Sequence, residues 1–123
     1  MNKKERIFRD LFDYHAGFPP EKLTEFDKFV RKSSNHFYIV LLLASCSNDH
    51  PGHHYEEIIG MYPHLHASRT TVHTILDEGV EKKFFIKHKN IHDNRKQNYK
   101  MSFEQKKEAY AWLDNHPVRN YNK

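Results

Sequence analysis

Apolar side chains recur at helical spacing through the first two thirds of this chain and give way to a strand-like run only after Lys83. Over residues 3–14, Ile7, Phe8, Leu11 and Phe12 share one face among charged neighbours, which predicts a first helix. Ala16-Gly17-Phe18-Pro19-Pro20 ends it, because neither proline donates a backbone N–H and Gly17 tolerates the dihedrals of a helix end. A second helix is predicted over 21–32, with Leu23, Phe26, Phe29 and Val30 on its face and Pro20 near its first turn. Ser33-Ser34-Asn35 offers caps for a third over 35–47, which is apolar nearly all round from Phe37 to Ala44 and at Cys46. A helix with no polar face needs neighbours on every side, so this one is expected at the centre of the core.

Asn48-Asp49-His50-Pro51-Gly52 reads as a turn. Tyr55, Ile58, Ile59 and Tyr62 follow at helical spacing, a short amphipathic helix ended by Pro63. A fifth helix is predicted over 67–80, with Val72, Ile75 and Leu76 inward and Thr70, His73, Thr74 and Asp77 outward, Arg69 at the edge. Its outer face is polar but lightly charged. Phe84-Phe85-Ile86 then reads as a strand, Asn90 to Arg95 as a polar turn, and Asn98-Tyr99-Lys100-Met101 as the returning strand of a hairpin. Ser102 with Gln105 forms a capping box, and Phe103, Ala109, Trp112 and Leu113 mark a last helix to about residue 115. No internal repeat or low-complexity tract interrupts the order.

Composition narrows the class. The 123 residues suit one domain, and with 37% hydrophobic and 29% charged side chains the chain can build a core. The longest apolar run, Phe37 to Ala44, falls far short of the roughly 20 residues of a membrane span, and the N-terminal stretch alternates charged and apolar residues unlike a signal peptide. Cys46 is the single cysteine, so no internal disulfide forms, and a reducing cytoplasmic setting is expected with Cys46 as a small core residue. Four scattered glycines supply no phosphate-cradling loop. Lys and Arg number 20 against 16 Asp and Glu, a net charge of +4. The stretch 81–100 holds seven bases (Lys82, Lys83, Lys87, Lys89, Arg95, Lys96, Lys100) against Glu81 and Asp93, a net of +5. The positive charge is thus concentrated on the predicted hairpin.

Two short helices joined by a tight turn at 63–66, then a basic hairpin, make a mainly α chain with a small β-hairpin wing, the layout of a winged helix-turn-helix. The layout has a geometric purpose: the second helix offers small polar side chains to base edges while the hairpin reaches the neighbouring phosphates. Leu65, His66, Ser68 to Val72, Ile75 with Leu76, Phe84 to Lys87, Asp93 with Arg95, and Met101-Ser102 hold an ungapped register. Over these residues the chain resembles the MarR family (multiple antibiotic resistance regulators), in which a Thr-Val helix, a strand ending in a basic residue, an Asp-x-Arg wing and the next helix follow in this order.

The resemblance implies that Ser68, Arg69, Thr70, Thr71, His73 and Thr74 lie in or beside the major groove of double-stranded DNA, that Lys87, Lys89 and Lys96 belong to the basic wing, and that Arg95 reaches the minor groove or a phosphate. Asp93 would hold the wing turn through Arg95 or nearby backbone N–H groups. It further implies a homodimeric transcriptional regulator on a pseudo-palindromic site. Against the family pattern, His66 stands for a serine cap, Gly79 for a core leucine and Lys83 for a helix-ending glycine, and only 11 residues follow Trp112. The dimer contact is accordingly expected on the N-terminal side. Residues 1–32 are assigned to dimerisation, 33–116 to DNA binding and 117–123 to a tail.

Lys3, Lys4 and Arg6 read as a solvated face. His50, His53 and His54, the pair His64 and His66, and His88 with His92 invite a metal, but no second cysteine or HExxH pair assembles them, so no metal or other cofactor is expected. Phe8, Phe12, Phe26 and Phe29 are core or interface aromatics. No acid sits paired in an apolar setting, which argues against an enzyme. The alternative from another class is a winged-helix protein-interaction module that uses the hairpin on an acidic partner. An effector, small molecule or metal, is left unassigned.

Overall fold

The structure, a computed structural model, describes residues 2–17, 20–61 and 68–117. Helix α1 (Lys3–Ala16) starts where the Asn2 side chain accepts the Glu5 N–H at 2.8 Å. The predicted second helix divides in two. A single 3-10 turn (Pro20–Lys22) precedes α2 (Glu25–Arg31). The divide falls at Thr24, whose hydroxyl accepts the Asp27 N–H while the Asp27 carboxylate accepts the Thr24 N–H, a reciprocal cap absent from the sequence-based boundary.

Helix α3 (Ser34–Ala44) is capped by Ser33 and ends before Cys46, because Ser45 turns its N–H and hydroxyl back onto the carbonyls of the last turn. Its burial is one-sided despite its composition: Ile39, Val40, Leu42 and Leu43 are buried, while Tyr38 and Leu41 are exposed. A two-residue strand that the sequence did not predict, β1 (His53–His54), leads into α4 (Tyr55–Met61). The expected tight turn at 63–66, with Leu65, His66 and the predicted helix start at Ala67, lies outside the described residues. Helix α5 (Arg69–Glu81) begins on Ser68, whose hydroxyl accepts the Thr71 N–H.

Helix α5 closes through two crossed hydrogen bonds, Lys83 N–H to Val80 O at 3.0 Å and Phe84 N–H to Gly79 O at 2.8 Å. Lys83 adopts φ 67°, the left-handed turn that a glycine fills more cheaply. Strands β2 (Phe85–Lys89) and β3 (Gln97–Met101) form the hairpin, and β1 joins its far side, giving the antiparallel order β1-β3-β2. The register pairs Phe85 with Met101, Lys87 with Tyr99, and Tyr99 in turn with His53. Helix α6 (Phe103–Asn115) carries half of the predicted capping box. Ser102 accepts the Gln105 N–H, but the Gln105 amide donates to Glu108 and the Ser102 N–H to Phe84 O.

One apolar core joins α2, α3, α4, α5 and the sheet: Phe26, Phe29 and Val30 meet Ile39, Leu43, Ile58, Val72, Ile75, Leu76, Phe84, Phe85 and Met101. Truncating a fully buried member such as Leu43 or Leu76 to alanine costs about 2–5 kcal/mol. Phe26 and Phe29, expected as core or interface, are core. Helix α1 buries none of its residues, and Phe8 and Phe12 are 72% and 62% exposed. No described helix is long and apolar enough to cross a membrane.

Candidate nucleic-acid interface

The inward stripe Val72, Ile75 and Leu76 seats α5 on the core, and at 3.6 residues per turn this leaves Arg69, Thr70, Thr71, His73, Thr74 and Asp77 facing solvent. Ser68 serves as the helix cap and contacts the Thr71 hydroxyl at 3.0 Å. The Thr74 hydroxyl donates to Thr70 O at 2.9 Å, which keeps its oxygen lone pairs outward as acceptors. His73 stacks on Tyr55 of α4, ring centroids 3.7 Å apart and planes 17° from parallel. The Arg69 guanidinium pairs with Glu56 of α4 and lies 5.8 Å from the centre of the Tyr55 ring. That carboxylate raises the Arg69 pKa further above its ordinary value. Tyr55 and Glu56, which the sequence presented only as parts of a short amphipathic helix, therefore orient two side chains of α5.

The wing tip is built by two polar side chains. Asn90 Oδ1 accepts the N–H groups of His92 (2.8 Å) and Asp93 (3.2 Å), while its amide reaches Asn98 Oδ1 at 3.1 Å. Asp93 Oδ1 accepts the Arg95 N–H at 3.0 Å and Arg95 Nε at 3.2 Å. These contacts, led by the guanidinium, hold the Asp93 carboxyl below its usual range. The Arg95 side chain remains 90% exposed. Lys87 and Lys89 sit opposite Tyr99 and Gln97 in the register, so they share the wing face on which Tyr99 is buried. Lys100, counted among the basic wing residues, is committed elsewhere: its ammonium donates to Asn48 O at 3.0 Å and His50 O at 3.2 Å.

These elements meet at one cleft of about 250 Å³, lined by Tyr55 and Glu56 of α4, His73 of α5, and Arg95, Lys96 and Tyr99 of the wing. The cleft brings the outer face of α5 and the cationic hairpin to a common opening. Burial, and to a lesser degree Asp77, pushes the Tyr99 hydroxyl pKa up, so this wall stays neutral. Ser68, Thr70, Thr71, Thr74, Lys87 and Lys89 do not line the cleft: Ser68 caps α5, the three threonines lie on the same helix as His73, and the two lysines lie on β2, paired with Tyr99 and Gln97 of β3.

No family model and no curated protein matches the chain. Solved structures do. A complex of S. aureus MepR with DNA aligns at TM-score 0.66 and 16% identity, over 99% of this chain and 87% of that one. A MepR mutant from a multidrug-resistant S. aureus clinical isolate aligns at TM-score 0.54 and 16% identity, over 90% of this chain and 74% of that one. Likeness at that identity speaks to architecture, and the architecture of this chain is a mainly α winged helix-turn-helix with a small three-stranded antiparallel sheet.

Proposed function

We infer that the chain is a MarR-like, sequence-specific, double-stranded DNA-binding transcriptional regulator. The observation that carries this reading is the shared opening of α5 and the wing, where His73 and Arg95 line one cleft and Thr70 and Thr74 stand exposed beside it. A helix with short hydroxyl side chains and few charges enters a major groove without repelling the bases, and a flanking hairpin with five bases (Lys87, Lys89, Arg95, Lys96, Lys100) against Asp93, a net charge of +4, neutralises phosphates. The match to a structure solved as a DNA complex supports the same reading. In the bound state α5 would lie in the major groove, Arg69 exchanging Glu56 for a base or phosphate, with Arg95 at the adjacent backbone or minor groove.

The same reading makes the chain a cytoplasmic homodimer on a pseudo-palindromic site. Large apolar side chains exposed on three helices, Phe8 and Phe12 of α1, Tyr38 and Leu41 of α3, and Tyr110 and Leu113 of α6, supply the surface for a second subunit. The test is a gel shift with random duplex across a salt series, beside a heparin column. A duplex shift whose affinity falls steeply with salt is expected. Retention on heparin without any duplex shift would overturn the reading in favour of a wing that docks an acidic protein.

A further inference from the structure

At the C-terminal end of α3 the chain gathers three metal-ligating side chains that the DNA-binding reading does not use. We propose that Cys46, His50 and His53 form a binding site for a divalent transition metal of the zinc type. One ligand atom from each lies within 4.8 Å of the other two. Bonds of about 2.0–2.3 Å to a tetrahedral zinc place ligand atoms roughly 3.3–3.7 Å apart, so modest side-chain rotations close the site. The sequence clusters His50 with His53 but does not join Cys46 to them, since Cys-x3-His-x2-His matches no helical or paired-cysteine pattern. The fold supplies it: Gly52, at φ 86°, packs so closely that an added Cβ would stand 3.0 Å from the Tyr99 carbonyl carbon, and this turn folds His53 back to 5.0 Å from the His50 ring.

The surroundings suit coordination. Cys46 is buried, and its thiol has only a weak contact with Leu42 O at 3.8 Å. His53 Nδ1 faces Glu57 Oε2 at 3.5 Å, the carboxylate partner that fixes a ligating imidazole and leaves Nε2 as the donor. His50 Nδ1 accepts the Gly52 N–H at 2.9 Å. Coordination exchanges this bond for the metal's, directly through Nδ1, or through Nε2 with the ring proton moving to Nδ1. The ammonium groups of Lys100 and Lys106 are turned onto backbone carbonyls of the 46–50 loop, which they hold in place. One sulfur and two imidazoles beside two cations exclude the hard oxygen-seeking ions and select a metal that binds thiolate. Three protein ligands leave the fourth position to water. On the DNA-binding reading above, the pairing of His53 with Tyr99 links the site to the cleft at the interface.

Cobalt(II) titration of the full chain tests the site, because Cys46 is its only sulfur able to give a thiolate-to-cobalt charge-transfer band. A band saturating at one metal per chain and bleached by zinc is expected. Cys46→Ser should abolish it, and His50→Asn or His53→Asn should weaken cobalt binding at least tenfold, while His88→Asn leaves it unchanged. Protection of Cys46 from thiol alkylation by zinc reports the same site in the unaltered chain should a variant fail to fold. Absence of the band and of protection would overturn the proposal, as would a band indifferent to both histidines. Duplex binding measured on the same samples keeps the two readings apart. Duplex binding without cobalt binding removes the metal site alone, and cobalt binding without duplex binding removes the regulator alone.

Discussion

The ring of Phe85, at the start of the wing, fills the space a side chain at Gly79 of α5 would need: an added Cβ would overlap the Cδ2 edge and stand 2.9 Å from Cγ. Both residues are buried, and the contact fixes how the wing leaves the helix. Gly79→Ala should gain about 1 kcal/mol of helix propensity but lose more to overpacking, for a net destabilisation of about 1–2 kcal/mol in urea unfolding. Adding Phe85→Leu should recover part of it. Additive losses in the double variant would show that the two sites are uncoupled.

Lys83 occupies a left-handed position with its side chain in solvent. Lys83→Gly should therefore stabilise the fold by about 1 kcal/mol, read as a rise in thermal midpoint, because it relieves the Cβ clash without removing a buried contact.

His36 joins the start of α3 to α5. Its Nδ1 meets Ser33 Oγ at 2.6 Å and its Nε2 meets Glu78 Oε1 at 3.1 Å, with Lys32 on the other Glu78 oxygen at 2.7 Å. Burial lowers the His36 pKa below its ordinary 6.5; Glu78 pulls the other way, and Lys32 and Lys82 add to the lowering. Burial likewise lowers His15 and His116, whose Nε2 atoms face each other at 3.1 Å. A histidine depressed in the folded state binds its proton more readily when unfolded, so stability falls as pH drops below about 6.5 through the lowered values. Glu78, held low chiefly by Lys32, adds a second loss at more acid pH, as its carboxylate is protonated. Unfolding free energy measured between pH 7 and 5 should decline, and His36→Gln should flatten that slope. An unchanged slope would assign the decline to the His15 and His116 pair.

Arg95 is exposed apart from its Asp93 contacts, whereas Thr70 stands on the outer face of α5. Arg95→Ala should weaken binding to every duplex and lower the salt slope by about 0.9, the loss of one phosphate contact. Thr70→Ala and Arg69→Ala should instead relax sequence preference, read as a smaller ratio of specific to random-duplex affinity. Equal affinities for all three variants and the unaltered chain would refute these assignments.

Phe8 and Phe12 take no part in the core among the described residues, so on the proposed homodimer replacing both with serine should leave the thermal midpoint of the monomeric fold intact while halving the mass seen by light scattering; an unchanged mass would refute their place in the contact. Deleting residues 1–32 would not make this test, since it also removes Phe26 and Phe29, two fully packed aromatic rings.

Much of the layout could be read from periodicity: the helical stripe Val72, Ile75 and Leu76, the aromatic start of the hairpin, and the charge excess between 81 and 100 depend on local order alone. The capping signals were less secure, because each group of the box has a competing partner: the Gln105 amide takes Glu108 one turn on, and the Ser102 N–H takes the Phe84 carbonyl at the start of the hairpin. Strand β1 was invisible because two residues carry no period. Its existence depends on the distant edge offered by Tyr99 and Asn98.

Sequence by itself therefore determined which faces would be apolar and where the charge would collect, since both follow from residue order and the repeat of each element. Tertiary structure alone decided which groups meet: Phe85 against Gly79, His73 on Tyr55, Arg69 with Glu56, and Cys46 beside His50 and His53. Those meetings arise from packing between elements and from chain reversals at the ends of α3 and α5, which no helical or strand period encodes.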